Sequence, residues 1–291
     1  MKIKFENFWQ GFIPTSNGFI NKVISTFNAE IVDTNPDMIF YSVYGWRGKN
    51  QKPQCWNSDI PRVCWSGESL SDEKINQVLD RGDYLIYSKR VDHPRYLRLT
   101  SSEAYNWYDV DISTLFSEPA PNKTRFCSFI YHNTSPKHRE QFCKQLMQYK
   151  KVDCLGRSLN NAKSSILTGR FAKPGVAGIG RSNIDVLKPY KFNLAIENEL
   201  LRGYMTEKIW WAFLAKTINL YWGDPTVYES FNKGSFLCRD DFVSEKQFID
   251  AIIELDNDDE AYNEMLNRYP IKDQNMVNKN HASDFLKSIK I

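Results

Sequence analysis

The chain has no run of about eighteen apolar residues anywhere in its 291, which excludes a hydrophobic membrane-spanning helix. Its start, MKIKFENFWQ, lacks a basic segment followed by an apolar stretch, so it does not read as a secretory leader. The six cysteines (Cys55, Cys64, Cys127, Cys143, Cys154 and Cys238) form no CxxC pair and no zinc-finger spacing, and are expected to be buried thiols. HExxH, GxSxG and GxxxxGK[ST] are all missing, which removes zincins, serine hydrolases and P-loop kinases. Charge of one sign is scarce too: 38 basic against 35 acidic residues leave +3, too little for a polybasic nucleic-acid binder. Glycine (14) and proline (12) are too few for a collagenous or low-complexity chain. No internal repeat is visible.

What is present is an ordinary globular composition, 42% hydrophobic and 25% charged, at a length that favours two cores over one. Short apolar runs (IKFENF, MIFYSVYG, RVCWSG, DYLIYSK) alternate with helical patterns such as GFINKVISTF, the rhythm of βαβ units around a parallel sheet. Two prolines in Ser117-Glu-Pro-Ala-Pro-Asn122 punctuate the chain, and a fresh strand, RFCSFIY, follows before the helix-like REQFCKQLMQYK. The expected domains are therefore 1–120 and 121–274, with a terminal helix from about 275 to 291 packing back on the first. Aromatics reach 14%, which suits sugar-stacking surfaces but more commonly fills cores.

Residues 190–227, YKFNLAIENELLRGYMTEKIWWAFLAKTINLYWGDPTV, carry the densest pattern. In KFNLAIEN, Phe192, Leu194 and Ile196 alternate with Asn193 and Glu197, so the strand packs one face and delivers polar groups at its C-terminal end. Open parallel sheets bind ligands at that end. Thr206 is the expected N-cap of the next helix. Lys208 in the first turn opposes the helix dipole, costing about 0.3–1 kcal/mol unless an anion sits opposite. A bound diphosphate would reverse that penalty, and free helix N–H groups would add to it. From Arg139 to Lys191, eleven Lys or Arg stand against Glu140, Asp153 and Asp185, so an anionic ligand on this region is expected.

YKFNLAIEN, GYMTEK and LYWGDP, at this spacing, resemble the donor-binding signature of the α1,3-fucosyltransferases, inverting enzymes that use GDP-fucose, and are most similar to bacterial members. FCSFIYHN, HREQF, YKKVDCLGR and KIKFENFWQGF extend the resemblance over most of the chain. It implies an α/β fold of the GT-B class, two Rossmann-like domains with a cleft between them, acceptor on the first and GDP-fucose on the second. It implies donor-binding roles for Tyr204, Thr206, Glu207 and Lys208, with Glu207 at sugar hydroxyls and Lys208 at the diphosphate. Arg139 resembles the family's phosphate clamp, a guanidinium suited to bidentate grip, and Asn133, Asn193 and Asn198 match polar donor positions. Glu68, in WSGES after RVCW, stands where the family has its general base.

The implied reaction is transfer of L-fucose to O3 of the GlcNAc in N-acetyllactosamine-type glycans, giving Lewis x-like products such as those of a bacterial O-antigen. No cofactor or metal is required on this reading, a divalent ion at most stimulating. The partners are GDP-L-fucose and an oligosaccharide or glycoconjugate acceptor, with no nucleic acid. The location is cytoplasmic, with peripheral contact at the inner membrane face. Four other readings stand beside it. Asp109-Val-Asp111 is a D-x-D of the kind that holds Mn²⁺ in metal-dependent transferases. A non-catalytic glycan binder would use Trp46, Trp56, Trp65 or Trp107. A dinucleotide site in GVAGIG, 175–180, has the wrong order of glycines. A different acceptor or an α1,4 linkage is the nearest alternative. Taken singly, Glu68 reads equally as a surface carboxylate at a turn, and Trp210 and Trp211 as core.

Overall fold

The computed structural model describes residues 1–44, 46, 52–99, 119–162, 179–277 and 280–290. Asp109, Asp111, Trp107 and most of GVAGIG lie outside these. The chain forms two compact units, Met1–Val110 with Asn275–Ile291, and Asp111–Gln274.

In the first unit, β1 (Lys2–Glu6), β2 (Glu30–Ile31), β3 (Met38–Tyr41), β4 (Arg62–Trp65), β5 (Tyr84–Tyr87) and β6 (Tyr96–Arg98) pair in the order β2-β1-β3-β4-β5-β6. Every pairing is parallel. MIFY in β3 is buried at all four positions, the continuous apolar run of a strand covered on both faces. Helix α1 (Gly18–Phe27) buries Phe19, Ile20 and Val23, spaced for one helical face. Asn17 caps it, its Oδ1 accepting from Ile20 N at 3.0 Å, and Asn28 ends it at φ 45°. Helix α2 (Asp72–Asp80) covers β5 from the other side of the sheet's core, with Ile75, Val78 and Leu79 buried. The last helix of the chain, α8 (His281–Ser288), packs against α1, where Ala282, Leu286 and Ile289 share a core with Phe19, Ile20 and Val23.

The second unit holds β7 (Arg125–Phe129), β8 (Val152–Cys154), β9 (Tyr190–Ile196), β10 (Ile218–Trp222) and β11 (Leu237–Cys238) in the order β11-β10-β9-β7-β8, again all parallel. Helices α3 (Lys137–Leu146), α4 (Ile179–Leu187), α5 (Glu207–Leu214), α6 (Glu245–Asn257) and α7 (Asp259–Asn267) surround it. The core on one face joins Phe129, Phe142, Leu194, Leu220, Phe248 and Ile252. On the other, α5 buries Ile209, Trp210, Ala212, Phe213 and Leu214, so Trp210 is core. The acidic run at 257–260 opens a helix: Asp258 caps α7, accepting from Ala261 N at 2.9 Å.

The strand order places one feature that the sequence cannot. From β7 the chain moves outward to β8, then returns across β7 to β9, β10 and β11, so the crossovers diverge between β7 and β9. Divergent crossovers leave a crevice at the strands' C-terminal ends. In the first unit the same divergence falls between β1 and β3. All six cysteines are buried free thiols, as the absence of pair spacing predicts.

Candidate functional site

At the divergence between β7 and β9, the segments after both strands meet the starts of α3 and α5. Tyr131, two residues beyond β7, sends its hydroxyl across to β9, donating to Leu194 O at 2.7 Å and accepting from Ile196 N at 2.6 Å. Burial pushes this phenol up to about 12 despite the nearby Arg139. Gly156 makes the close fit possible: a Cβ there would lie 2.1 Å from Tyr131 O. The buried ring of Tyr131 is the floor for Arg139, whose guanidinium carbon sits 4.3 Å from the ring centroid.

Arg139, in the first turn of α3, is 1% exposed. One amino group donates to Asn198 Oδ1, while Nε has no hydrogen-bond partner and no carboxylate pairs with the group among the described residues. A buried guanidinium without a counter-charge is costly, and an anionic ligand would remove that cost.

Beside it, Glu197 follows β9 and is fully buried. Its Oε1 accepts from Thr206 N at 2.8 Å, and its Oε2 accepts from Thr206 Oγ1 at 2.7 Å and from Lys208 Nζ at 3.0 Å. Lys208 Nζ also donates to Thr206 Oγ1 at 2.6 Å and lies 3.5 Å from Glu207 Oε1. Burial pulls the Lys208 ammonium down, but Glu197, then Glu207, more than offset it and hold it above the usual lysine range. Tyr204 is buried in the loop between β9 and α5. That loop turns at Gly203, φ 77°, whose N–H donates to Asp224 Oδ1 at 2.7 Å. His138 closes the edge, its Nε2 3.2 Å from Glu197 O and its ring against Trp222, with burial and then Arg139 opposing its protonation.

The structure thus brings Arg139, Asn198, Tyr204, Thr206, Glu207 and Lys208 together. It changes several readings. Thr206 occupies the N-cap position of α5 but makes no side-chain cap bond, because its hydroxyl is taken by Glu197 and Lys208. The anion opposite Lys208 is supplied internally by Glu197, a polar group at the end of its strand to which the sequence alone assigns no role. Eleven residues separate the two, and only the strand–loop–helix return makes them neighbours. Asn193 is not brought to this edge: it stands mid-strand, in register with Ser128 and Asn219, and accepts from Ser128 Oγ at 2.9 Å inside the sheet. Asn133 is exposed just past β7, where its Oδ1 accepts from Ser135 N at 3.0 Å. Among the described residues, four of the lysines in 139–191 are paired with carboxylates. Lys150 and Lys191 pair with Asp256, Lys151 with Asp153, and Lys188 with Asp185. Arg139 has no carboxylate partner among the described residues, whereas Lys208 is held by Glu197.

In the first unit, Glu68 lies exposed three residues beyond β4. Its Oε1 accepts from Tyr44 Oη at 2.8 Å, and its N–H donates to Ser66 Oγ at 3.1 Å. The Tyr44 ring meets Trp9 edge-on, centroids 6.0 Å apart. The C-terminal ends of β1, β3 and β4 thus bring two aromatic rings and a carboxylate together. Among the described residues no three His, Cys, Asp or Glu form a metal cluster, and no helix is long and apolar enough to cross a membrane.

Comparison with known proteins gives the family. Residues 120–285 match the family model of glycosyltransferase family 10 (fucosyltransferase), C-terminal part, and residues 3–108 match that of the alpha-(1,3)-fucosyltransferase FucT N-terminal domain. The chain belongs to glycosyltransferase family 10. Over 154 residues it is 32% identical to alpha-(1,3)-fucosyltransferase FucT of Helicobacter pylori, spanning 53% of this chain and 29% of that protein. Over 129 residues it is 30% identical to human GDP-fucose protein O-fucosyltransferase 3, spanning 44% of this chain and 26% of that protein. The matched part is less than a third of either relative's length. A crystallised alpha1,3-fucosyltransferase solved with GDP-fucose superposes over 100% of this chain and 91% of its own, with a TM-score of 0.72 at 22% identity. Another solved with GDP gives 0.74 at 24%. The family-10 fold is therefore GT-B, two α/β units each built on a parallel sheet.

Proposed function

We propose that this family-10 protein transfers L-fucose from GDP-L-fucose to a glycan hydroxyl, with inversion, the favoured acceptor being O3 of GlcNAc in an N-acetyllactosamine unit. The observation that carries the reading is the buried Arg139 guanidinium, lacking a carboxylate partner among the described residues, near the Lys208 ammonium at the strand divergence. Two cations at that edge suit the diphosphate of a nucleotide sugar. Glu207, about 29% exposed next to Lys208, has carboxylate oxygen free for sugar hydroxyls. Asn198, held by Arg139, adds an amide at the same edge.

In the proposed reaction the acceptor hydroxyl attacks the anomeric carbon as the bond to GDP breaks. Glu68 takes the hydroxyl proton, and negative charge passing to the diphosphate is stabilised by Arg139, Lys208 and the N–H groups opening α5. Electrostatic stabilisation by these groups supplies what a bound cation would otherwise do, so turnover in a chelator is expected. Trp9 and Tyr44 give the neighbourhood of Glu68 the aromatic surface that sugar rings pack on.

The test is GDP release from GDP-fucose in EDTA, with and without N-acetyllactosamine. Acceptor-dependent release supports the whole reading. Release only after Mn²⁺ is restored would shift attention to Asp109 and Asp111, and release with a different acceptor would keep the donor and replace the acceptor. Silence with every acceptor and ion, while GDP still binds, would favour a non-catalytic glycan-binding relative.

A further inference from the structure

Lys208 presents a physical difficulty for the proposed donor site. An ammonium at the start of a helix is disfavoured by the dipole, and one largely withdrawn from water is disfavoured again. Without a fixed anion its hold on the proton in the free protein would be weakened, and diphosphate binding would become linked to proton uptake as pH rises. Glu197 is arranged to prevent this. Its backbone is clamped at both ends: the N–H donates to Trp222 O at 2.8 Å, and the carbonyl faces His138 Nε2. Its side chain is wedged under Gly223, where a Cβ would lie 2.5 Å from Glu197 Cγ. The carboxylate then has one direction to point, toward Thr206 and Lys208. Thr206 Oγ1 accepts from Lys208 and donates to Glu197, so the hydroxyl doubles the direct contact.

We propose that Glu197 is a positioning residue that keeps the Lys208 ammonium charged and aimed in the free protein, so that the nucleotide diphosphate meets a preformed cation. Two of the three ammonium hydrogens go to Glu197 and Thr206, and the third has only Glu207 Oε1 at 3.5 Å among the described residues, the longest of the three contacts and the one a diphosphate oxygen would replace. The other groups that face Lys208 are Tyr204 in its own loop and Tyr131 beyond β7, with Arg139 stacked on the latter. Glu197, then Glu207, contribute more to the negative field at Lys208 than either tyrosine. Of these, Glu197 is fully buried and fixed, whereas Glu207 is partly solvated and weaker for it.

The ligand in this role rests on the donor reading above; the protonation of Lys208 does not. The experiment is Glu197→Gln, which keeps shape and removes charge, studied by calorimetric GDP titration from about pH 7 to about pH 10 in buffers of different ionisation enthalpy. In the parent protein, Lys208 should contribute no proton uptake on binding. In Glu197→Gln, affinity should fall progressively with pH, approaching about tenfold per unit, with close to one proton taken up per GDP bound. A loss that is equal at every pH, without proton uptake, would reduce Glu197 to a packing role and overturn the proposal, as would no loss. In Lys208→Met the affinity should be low without this pH trend, and adding Glu197→Gln to it should restore none. If Glu197→Gln does not fold, Thr206→Val carries the test, with the same trend at smaller amplitude; its absence would overturn the proposal. If the parent protein binds no GDP, the donor reading fails by itself. Carbon-13 titration of the lysine ε-methylene, assigned by loss of its signal in Lys208→Met, then decides protonation without nucleotide. A signal that titrates below about pH 10 in Glu197→Gln but not in the parent supports the proposal, and identical titrations overturn it.

Discussion

Glu68 and Arg139 show how much two side chains of opposite charge owe to their surroundings. Glu68 is exposed and held by a single phenol, Tyr44, so it has solvent access and a fixed orientation. Its replacement by glutamine preserves that bond geometry and removes only the capacity to take a proton. Turnover of GDP-fucose with acceptor should therefore fall about 10²–10⁴-fold while GDP affinity is unchanged, measured by steady-state kinetics and calorimetry side by side. Retained turnover would remove Glu68 from the base role. Arg139 is the reverse case, buried, stacked on Tyr131 and anchored by Asn198. Arg139→Lys keeps the charge but loses both the planar fork and the stacking surface. GDP affinity should drop on the order of tenfold or more, and a lysine variant that binds as well as the parent would show that only charge matters there.

Among elements, α6 illustrates how a sheet edge is tied down. Asp256, near its C-terminal end, is 7% exposed and takes bonds from Tyr149 Oη at 2.9 Å, from Lys150, and from Lys191 Nζ at 2.8 Å. One carboxylate thus joins α6 to the turn before β8 and to the start of β9. Burial alone would raise this carboxyl, but the bonds from Lys150, Lys191 and Tyr149 outweigh it and hold it below the usual range. A depressed folded value stabilises above the unfolded pKa, about 3.9, and that stability is lost as pH falls through the folded value. Asp256→Asn should cost about 1–3 kcal/mol at neutral pH, a buried-pair loss discounted because Lys150 is half exposed. Urea unfolding of parent and variant should converge below about pH 3. Convergence already at pH 6 would mean the ion pairs contribute nothing. The same element scale explains why Thr206 fails as a side-chain cap. Its φ and ψ place it at the helix start, but two stronger, charged partners compete for its hydroxyl.

For the whole molecule, the division into two units with separate cores sets where damage is felt. Helix α8 belongs to the first unit although the second lies between them in sequence, and its Leu286 is fully buried against α1. Leu286→Ala should destabilise the first unit by about 2–5 kcal/mol through lost burial and an unfilled cavity. Hydrogen exchange should report this loss in β1, β3 and α1, with β7 and β9 protected as before. Equal loss in both units would show that they unfold as one. Much of this organisation is legible from the chain alone. The apolar runs locate β1, β3, β4, β5, β7 and β9, and GFINKVISTF gives α1 residue for residue. The two- and three-residue strands β2, β6 and β11 have no readable signal, since pairing with a longer neighbour, and not their own pattern, makes them strands.

The sequence by itself determined the α/β class and the thiol state of the cysteines, and it named Arg139, Asn198, Tyr204, Thr206, Glu207 and Lys208 as candidates that the fold then brings to one edge, because periodicity and motif spacing are properties of neighbours in the chain. Only the tertiary structure decided that Asn193 serves the sheet interior, that Asp256 draws off two of the surplus lysines, and that Glu197 is the anion Lys208 required. Burial and charge pairing depend on distances in space, which a parallel sheet sets by the order of its strands and the chain does not record.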